Sequence, residues 1–298
     1  MQMVGSSVQM LAIAFWNVHK ARGANMMQGV VSLAAAIAAN QAWSGPDGEV
    51  LMCLSEPGTL DENVLRNQLN LIAPGHTWWC EKSFPERFIT LGTIDRATLS
   101  FSGQKSGCLP ATVSRVNGHN VISPYELWFV HLTSPINADD ASGLQTAVAR
   151  ELREAVKERE ILRSNSATIA IGDFNMSPYS RGMTDPTTLN AAACRTAAKG
   201  TRTVRSSQHN YFFNPMWEIL GSRTADQQPG SFYRRYDNSA IFWHLYDQVL
   251  VRPELVDRVV PDSPWVMTTA GTCSLLTPRG AMDSRFSDHL PIAISLEI

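Results

Sequence analysis

The chain predicts one domain of interleaved strands and helices, and three observations carry that reading. Short apolar runs, among them Glu49–Leu54 and Thr168–Ile171, alternate with stretches whose apolar residues recur every three or four positions. From Thr77 to Val121 the pattern changes to brief runs broken by Gly, Pro and Asn, the signature of successive antiparallel strands. No low-complexity tract or linker separates these pieces, so residues 1–298 are expected to form a single domain with a sizeable core.

In chain order, Val8–Trp16 reads as a first strand running straight into Asn17. Residues Asn25–Ala42 place Val30, Leu33, Ala34, Ile37 and Ala38 on one helical face, and Gly45-Pro46 ends the helix. Glu49–Leu54 is the next strand, closed by Ser55-Glu56-Pro57, and Leu60–Ile72 is helical again. Trp78-Trp79, Phe88–Leu91, Thr98–Phe101 and Ala111–Val116 follow as short strands, and Glu126–Leu132 as a longer one that carries His131 near its end. Asp139-Asp140 precede a helix with Leu144, Val148, Leu152, Ala155 and Val156 at helical spacing, where acids complement the N-terminal dipole. Ser231–Tyr236 and Asn238–Val251 read as strands. Ile292, Ile294, Leu296 and Ile298 alternate as one face of a last strand, so truncation at the C-terminus should damage the fold.

Polar residues recur where these strands end. Thr168–Ile171 stops at Gly172, and Asp173 and Asn175 follow two apart, on one side of an extended backbone. A carboxylate and a carboxamide leaving a buried strand together need water, a metal or a substrate; an ordinary Asx turn is the alternative. Ser287-Asp288-His289 stands at the mouth of the final strand. Asp247 interrupts apolar surroundings and should have a hydrogen-bonding partner. The strand ending Leu11–Asn17 resembles Ile169–Asn175, seven residues that raise an internal duplication without establishing it.

Composition excludes several classes. With 44% hydrophobic and 17% charged residues the chain is an ordinary globular protein, and a net charge of −2 gives no global attraction to nucleic acid or membrane, so any basic site must be local. Arginine outnumbers lysine 20 to 5, which suits phosphate recognition but also follows from GC-rich coding. Five scattered cysteines with no Cys-x-x-Cys point to reduced thiols. The run Met10–Trp16 is too short for a signal core or a membrane span, so a cytoplasmic location and no membrane partner are expected. Between Asp185 and Glu218 the chain has no acid, and Arg195, Lys199, Arg202, Arg205 and His209 lead into Tyr211, Phe212, Phe213 and Trp217. Cations beside aromatics suit a polyanion with stackable bases; a solvated face followed by a core cluster is the equal alternative.

Taken in order, Asn17, Glu56, His131 in Val-His-Leu-Thr-Ser-Pro, Gly172-Asp173-Phe174-Asn175, Tyr246-Asp247-Gln248-Val249-Leu250-Val251 and Ser287-Asp288-His289 resemble the motif set of the endonuclease/exonuclease/phosphatase superfamily. The resemblance spans nearly the whole chain. It implies the α+β fold of deoxyribonuclease I: a four-layer α/β/β/α sandwich, two mostly antiparallel mixed sheets packed face to face with helices outside. His131 looks closer to the deoxyribonuclease I and sphingomyelinase branches than to the abasic-site nucleases, whose Tyr-x-Pro-Asn motif is not found. The resemblance makes Glu56 the main ligand of Mg2+ (or Mn2+), helped by Asn17 and Asp288. Asp173 would orient or deprotonate the attacking water, Asn175 would hold the phosphoryl group, and His131 and His289 would donate to phosphate or leaving-group oxygens. Asp247 would fix the tautomer of His289. His19 departs from the acidic or small residues often found two positions after the first Asn, which puts a second-metal role there in doubt.

The chemistry asks for such a set: a hard cation with oxygen ligands, a positioned water and a donor for the departing oxygen. The expected activity is a magnesium-dependent phosphodiesterase, foremost a nuclease on DNA or RNA, with Arg195, Lys199, Arg202 and Arg205 binding the nucleic acid. A phosphatase or phospholipase-type enzyme on inositol phosphates, sphingomyelin or nucleotides is the alternative, and a catalytically silent binding module the third. No obligate protein partner is evident.

Overall fold

The computed structural model describes residues 9–19, 23–83, 85–117, 120–135, 140–221, 228–234 and 240–297. Val8, Asp139, Tyr236, Asn238 and Ile298, each read into or beside an element from the sequence, lie outside them. Sixteen elements build the frame: β1 Met10–Asn17, α1 Gly23–Ala39, β2 Val50–Ser55, α2 Glu62–Ile72, β3 Trp79–Lys82, β4 Phe88–Gly92, β5 Leu99–Phe101, β6 Cys108–Asn117, β7 Asn120–His131, α3 Ala141–Arg163, β8 Thr168–Asp173, β9 Ala191–Ala192, β10 Phe212–Phe213, β11 Asp247–Val251, β12 Trp265–Val266 and β13 Ile292–Glu297.

Strand order is β12-β13-β1-β2-β4-β3 in one sheet and β5-β6-β7-β8-β11-β10-β9 in the other. Most neighbours are antiparallel. The pairs β1/β2, β7/β8 and β9/β10 are parallel, and the first two are each joined through a long helix, α1 and α3, because parallel strands need a crossover.

Alternation along the strands explains the layers. Leu11, Ile13 and Phe15 of β1 meet Leu127 and Phe129 of β7, Ile169 and Ile171 of β8, and Val249 of β11 in one buried cluster between the sheets. The outward residues Ala12, Ala14 and Trp16, with Met52 and Leu54, pack against Val30, Leu33 and Ile37 of α1 and Leu65 and Leu69 of α2. On the other sheet, Trp128, Val130 and Ala170 face Leu152, Ala155 and Val156 of α3. Helices, sheet, sheet, helices is the four-layer α+β sandwich.

Local signals explain the ends. Asp61 caps α2 by accepting from the Asn63 and Val64 amides, and Asp140 caps α3 by accepting from Gly143 N at 2.8 Å. The first helix is shorter than its periodicity implied: it stops at Ala39, Asn40 accepts from Ala42 N, and a separate turn, Gln41–Ser44, reaches Gly45. The short strands from Thr77 onward do not form one meander. Trp79–Lys82 and Phe88–Gly92 belong to the first sheet, Leu99–Phe101 and Cys108–Asn117 to the second. The run read as one strand to Val251 breaks at Leu245-Tyr246, leaving a small hairpin, Phe232–Tyr233 with Trp243–His244, ahead of β11.

The resemblance between the ends of β1 and β8 has a positional basis. Each is an inner strand of its sheet with one parallel and one antiparallel neighbour, and the two pack against each other. Their connections differ, since β1 runs into its crossover helix and β8 leaves one. All five cysteines are free, and burial pushes the Cys80 and Cys108 thiols up to about 12. Among the described residues no helix is long and apolar enough to cross a membrane.

Candidate active site

Strand register assembles the site. In the second sheet His131 of β7 pairs with Asp173 of β8, and Asp173 with Asp247 of β11, so three polar residues form one row across three strands. They sit two positions beyond Phe129 and Ile171 and two before Val249, on the face that forms the inter-sheet core. The core therefore ends in a polar row. In the first sheet Asn17 pairs with Ser55, and Glu56 follows directly.

Glu56, His19 and Asn175 all have positive φ, at 50°, 41° and 51°. For Glu56 this is an uncommon conformation, adopted directly after the last residue of β2. Gly172 has φ 150°, and a Cβ there would lie 2.0 Å from Val130 O, so only glycine lets β8 approach β7 in front of Asp173.

Asp173 is buried and holds the two sheets together. Its Oδ1 accepts from Asn175 N at 2.8 Å, and its Oδ2 accepts from Asn17 Nδ2 at 3.0 Å and Asn175 Nδ2 at 3.1 Å. The Nε2 atoms of His131 and His289 each stand 3.9 Å from the same Oδ2. Burial raises the Asp173 pKa against the opposing pull of His289, with Asp247 adding to the rise. Asn175 is fixed by donating to Leu132 O at 2.9 Å and accepting from Gln145 Nε2 at its backbone oxygen.

His289 is clamped on several sides. Its Nδ1 lies 2.8 Å from Asp247 Oδ2, which also accepts from Ser231 Oγ at 2.7 Å, and its backbone oxygen accepts from Trp16 Nε1 at 2.8 Å. Burial alone would depress its pKa, but the charges of Asp247 and Asp173 and the Asp247 hydrogen bond prevail and lift it to about 10. The two carboxylates thus favour the protonated ring, with Nδ1 placed to donate to Asp247 and Nε2 facing Asp173 Oδ2 at 3.9 Å.

His131, Asp173, Asn175 and His289 line a cavity of about 340 Å³ that also includes Glu56, Asn17, His19 and Asp288, with Phe232, Arg234 and Tyr246 on its wall. His131 Nε2 is 3.3 Å from Glu56 Oε1. The oxygens fit a hard cation. Asp288 Oδ1 is buried without a hydrogen bond, 3.6 Å from His19 Nδ1, and joins the Glu56 carboxylate and the Asn17 carboxamide as an oxygen-only set. Asp173, Asp247 and His289 also lie within 4.8 Å of one another. Within that trio only Asp247 is hydrogen-bonded to His289, through Nδ1.

The basic segment goes elsewhere. Arg195 Nη2 donates to Val256 O at 2.6 Å, and Lys199 Nζ pairs with Asp257 at 2.6 Å, just past the end of β11 opposite Asp247. Arg202 and Arg205 are exposed on the hairpin of Thr201–Val204 and Ser207–Asn210, and Asn210 O accepts from Arg252 Nη1 at that same end. A six-residue strand at ~3.3 Å per residue separates this surface from Asp173 by about 17 Å. These four cations therefore do not line the cavity around Asp173; any contact they make with a nucleic acid would be on a surface a strand's length away. Phe212 and Phe213 are buried in the core, Phe212 under the Arg252 guanidinium at 3.8 Å, so they offer no faces to a ligand. Sequence reasoning missed Ser231, Trp16, Phe232, Arg234 and Tyr246. Tyr246 stood beside Asp247 in a quoted motif; the others gave no signal before the register was known.

No curated protein matches the sequence. Solved structures do match in fold: an endonuclease/exonuclease/phosphatase family protein from Leptotrichia buccalis (TM-score 0.54, 14% identity, 97% of this chain and 100% of that one) and an AP endonuclease from Archaeoglobus fulgidus (TM-score 0.53, 15% identity, 97% and 100%). A truncated TDP2 from Caenorhabditis elegans has a TM-score of 0.51 at 13% identity, covering 97% and 98%. The model of the Endonuclease/Exonuclease/phosphatase family matches residues 14–289, from inside β1 to His289, and the chain belongs to that family of metal-dependent phosphoester hydrolases.

Proposed function

We propose that the chain is a phosphodiesterase requiring Mg2+ or Mn2+, acting on nucleic acid, with Asp173 at its centre. The observation that carries this is the row of His131, Asp173 and Asp247 at one end of the core, closed by His289 and faced by the oxygens of Asn17, Glu56 and Asp288. Glu56, Asn17 and Asp288 would hold the cation, which supplies neutralisation of charge on the phosphate when bound.

Everything else is the work of the chain. Asp173, buried and held by three hydrogen bonds, accepts a proton from the attacking water and aims it; burial raises its basicity toward that task. The His289 imidazolium presents Nε2–H to a phosphate oxygen, and Asp247 keeps the ring in place and charged. His131 offers a second donor on the other side of Asp173. Asn175 is placed to donate to the transferring phosphoryl group once its hydrogen bonds rearrange. The AP endonuclease among the similar structures makes nucleic acid the first substrate class to test. The test is hydrolysis of single-stranded DNA, duplex DNA, RNA, cyclic nucleotides and phosphoinositides with magnesium. Turnover of a polynucleotide is the expected result, and turnover of a phosphoinositide alone would overturn the assignment.

A further inference from the structure

One wall of the cavity has no role in metal or phosphate chemistry. Phe232 and Tyr246 stack on each other with centroids 5.4 Å apart and planes at 22°, and His244 lies against Tyr246 at 5.0 Å and 27°. Phe232 reaches to 4.8 Å from the His289 ring, and Tyr246 directly precedes Asp247. Both rings are half-buried, so part of each is open to the cavity they line. The exposed Arg234 borders the same cavity, and across the hairpin from it Phe242, 46% exposed, offers a further ring outside.

We propose that Phe232 and Tyr246, with Arg234 beside them, form a subsite for one unpaired nucleobase of a single-stranded polynucleotide, a reading that rests on the phosphodiesterase assignment above. A phosphate group needs donors and a cation; a wall of near-parallel rings suits a planar partner, and a base flanking the scissile phosphate is one. A base inside a duplex has both faces covered and cannot meet this wall without leaving the stack. The cavity's 340 Å³ lies at the small end of ligand pockets, room for about one nucleotide. Arg234 is placed to contact the phosphate of the adjoining nucleotide. The interleaving of cations with aromatics that the sequence shows near residue 205 thus has its counterpart at the mouth of the site, in the stretch from Phe232 to Tyr246.

The experiment measures binding without turnover, in EDTA, with an oligonucleotide carrying one 2-aminopurine, whose fluorescence falls when it stacks. Quenching is expected with the single strand and not with the same sequence in a duplex. An oligonucleotide with an abasic spacer at that position should bind more weakly. Tyr246→Leu should lose the quenching and weaken binding roughly 5- to 150-fold, while Tyr246→Phe restores both. Arg234→Gln, at an exposed position, should leave the quenching and flatten the log–log salt dependence by about 0.7. Quenching that persists in Tyr246→Leu, equal affinity for the abasic strand, or equal affinity for the duplex would overturn the subsite. A 2-aminopurine mononucleotide binding as tightly as the strand would overturn the polynucleotide. The abasic comparison needs only the wild-type protein, so it decides even where Tyr246→Leu fails to fold. Because no hydrolysis is read, loss of this subsite and loss of the phosphodiesterase reading are separate results.

Discussion

Replacing Asp173 by Asn separates the chemical role of this side chain from its structural one. The carboxylate accepts three hydrogen bonds, one at Oδ1 and two at Oδ2. An amide can turn its oxygen toward the two carboxamide donors of Asn17 and Asn175 and lose only the bond from Asn175 N, where its own NH2 now faces a donor. One lost bond to a charged acceptor, with a donor left unpaired, costs about 1–3 kcal/mol. Against that stands the relief of not burying a charge. The folded pKa of Asp173 lies above its unfolded value of 3.8, so ionisation destabilises the wild-type fold progressively as pH rises above 3.8, fully once pH passes the folded pKa; the variant escapes this. The two effects oppose each other, and urea unfolding at pH 7.5 in EDTA should place Asp173→Asn within about 2 kcal/mol of wild type. Turnover with magnesium should nevertheless fall by at least 100-fold, about 3 kcal/mol of transition-state stabilisation, because the amide cannot accept the water's proton. A folded variant that keeps wild-type kcat would refute the assignment of Asp173 as base.

Further outcomes rest on the same geometry. EDTA should abolish hydrolysis, with Mg2+ or Mn2+ restoring it, since the oxygen-only set of Glu56, Asn17 and Asp288 is hard; full activity in excess chelator would remove the metal from the reaction. His289→Ala should cost two or more orders of magnitude in kcat and Asp247→Asn less. In metal-free protein the His289 ring should titrate near 10, and Asp247→Asn should bring the titration down. As the folded pKa exceeds the ordinary 6.5, this stabilisation is complete below pH 6.5 and is lost as pH rises through 10. Gly172→Ala should destabilise by about 3 kcal/mol or more, measured by urea unfolding, because its Cβ meets the Val130 carbonyl; a variant of wild-type stability would show that β7 and β8 can separate freely. Arg202→Ala with Arg205→Ala should leave polynucleotide binding and its salt slope unchanged, as both cations stand a strand's length from the site; a flattened slope would return them to the nucleic acid path.

What was legible in the sequence follows from the range of the interaction concerned. Strands showed through β-branched apolar runs and helices through three-to-four spacing because both patterns are local, whereas Asn17, Glu56, His131, Asp173, Asp247 and His289 each had an ordinary structural reading and stood out only as an ordered set that resembles the family's motifs. Their meeting was not local. Asp173 faces Asp247 only because β8 and β11 pair in one register, and Asn17 reaches Asp173 only because the two sheets pack face to face. The same logic applies to Arg195, Lys199, Arg202 and Arg205: a run of cations beside aromatics looks alike wherever it lies, and only the fold shows this one at the opposite end of β11, with Arg195 on the Val256 carbonyl and Lys199 on Asp257. Phe232 and Tyr246 carried no comparable signal, since an aromatic in a strand-like run is ordinarily core. They become a wall only because the chain breaks at Leu245-Tyr246 and the preceding hairpin is laid across the mouth, where the isolated bridge between Phe232 and His289 fixes it. The chemical centre thus sits on paired strands, whose register leaves little freedom, whereas the surface that meets the rest of the substrate sits on a two-residue-paired hairpin. One family scaffold can keep the first constant while the second varies.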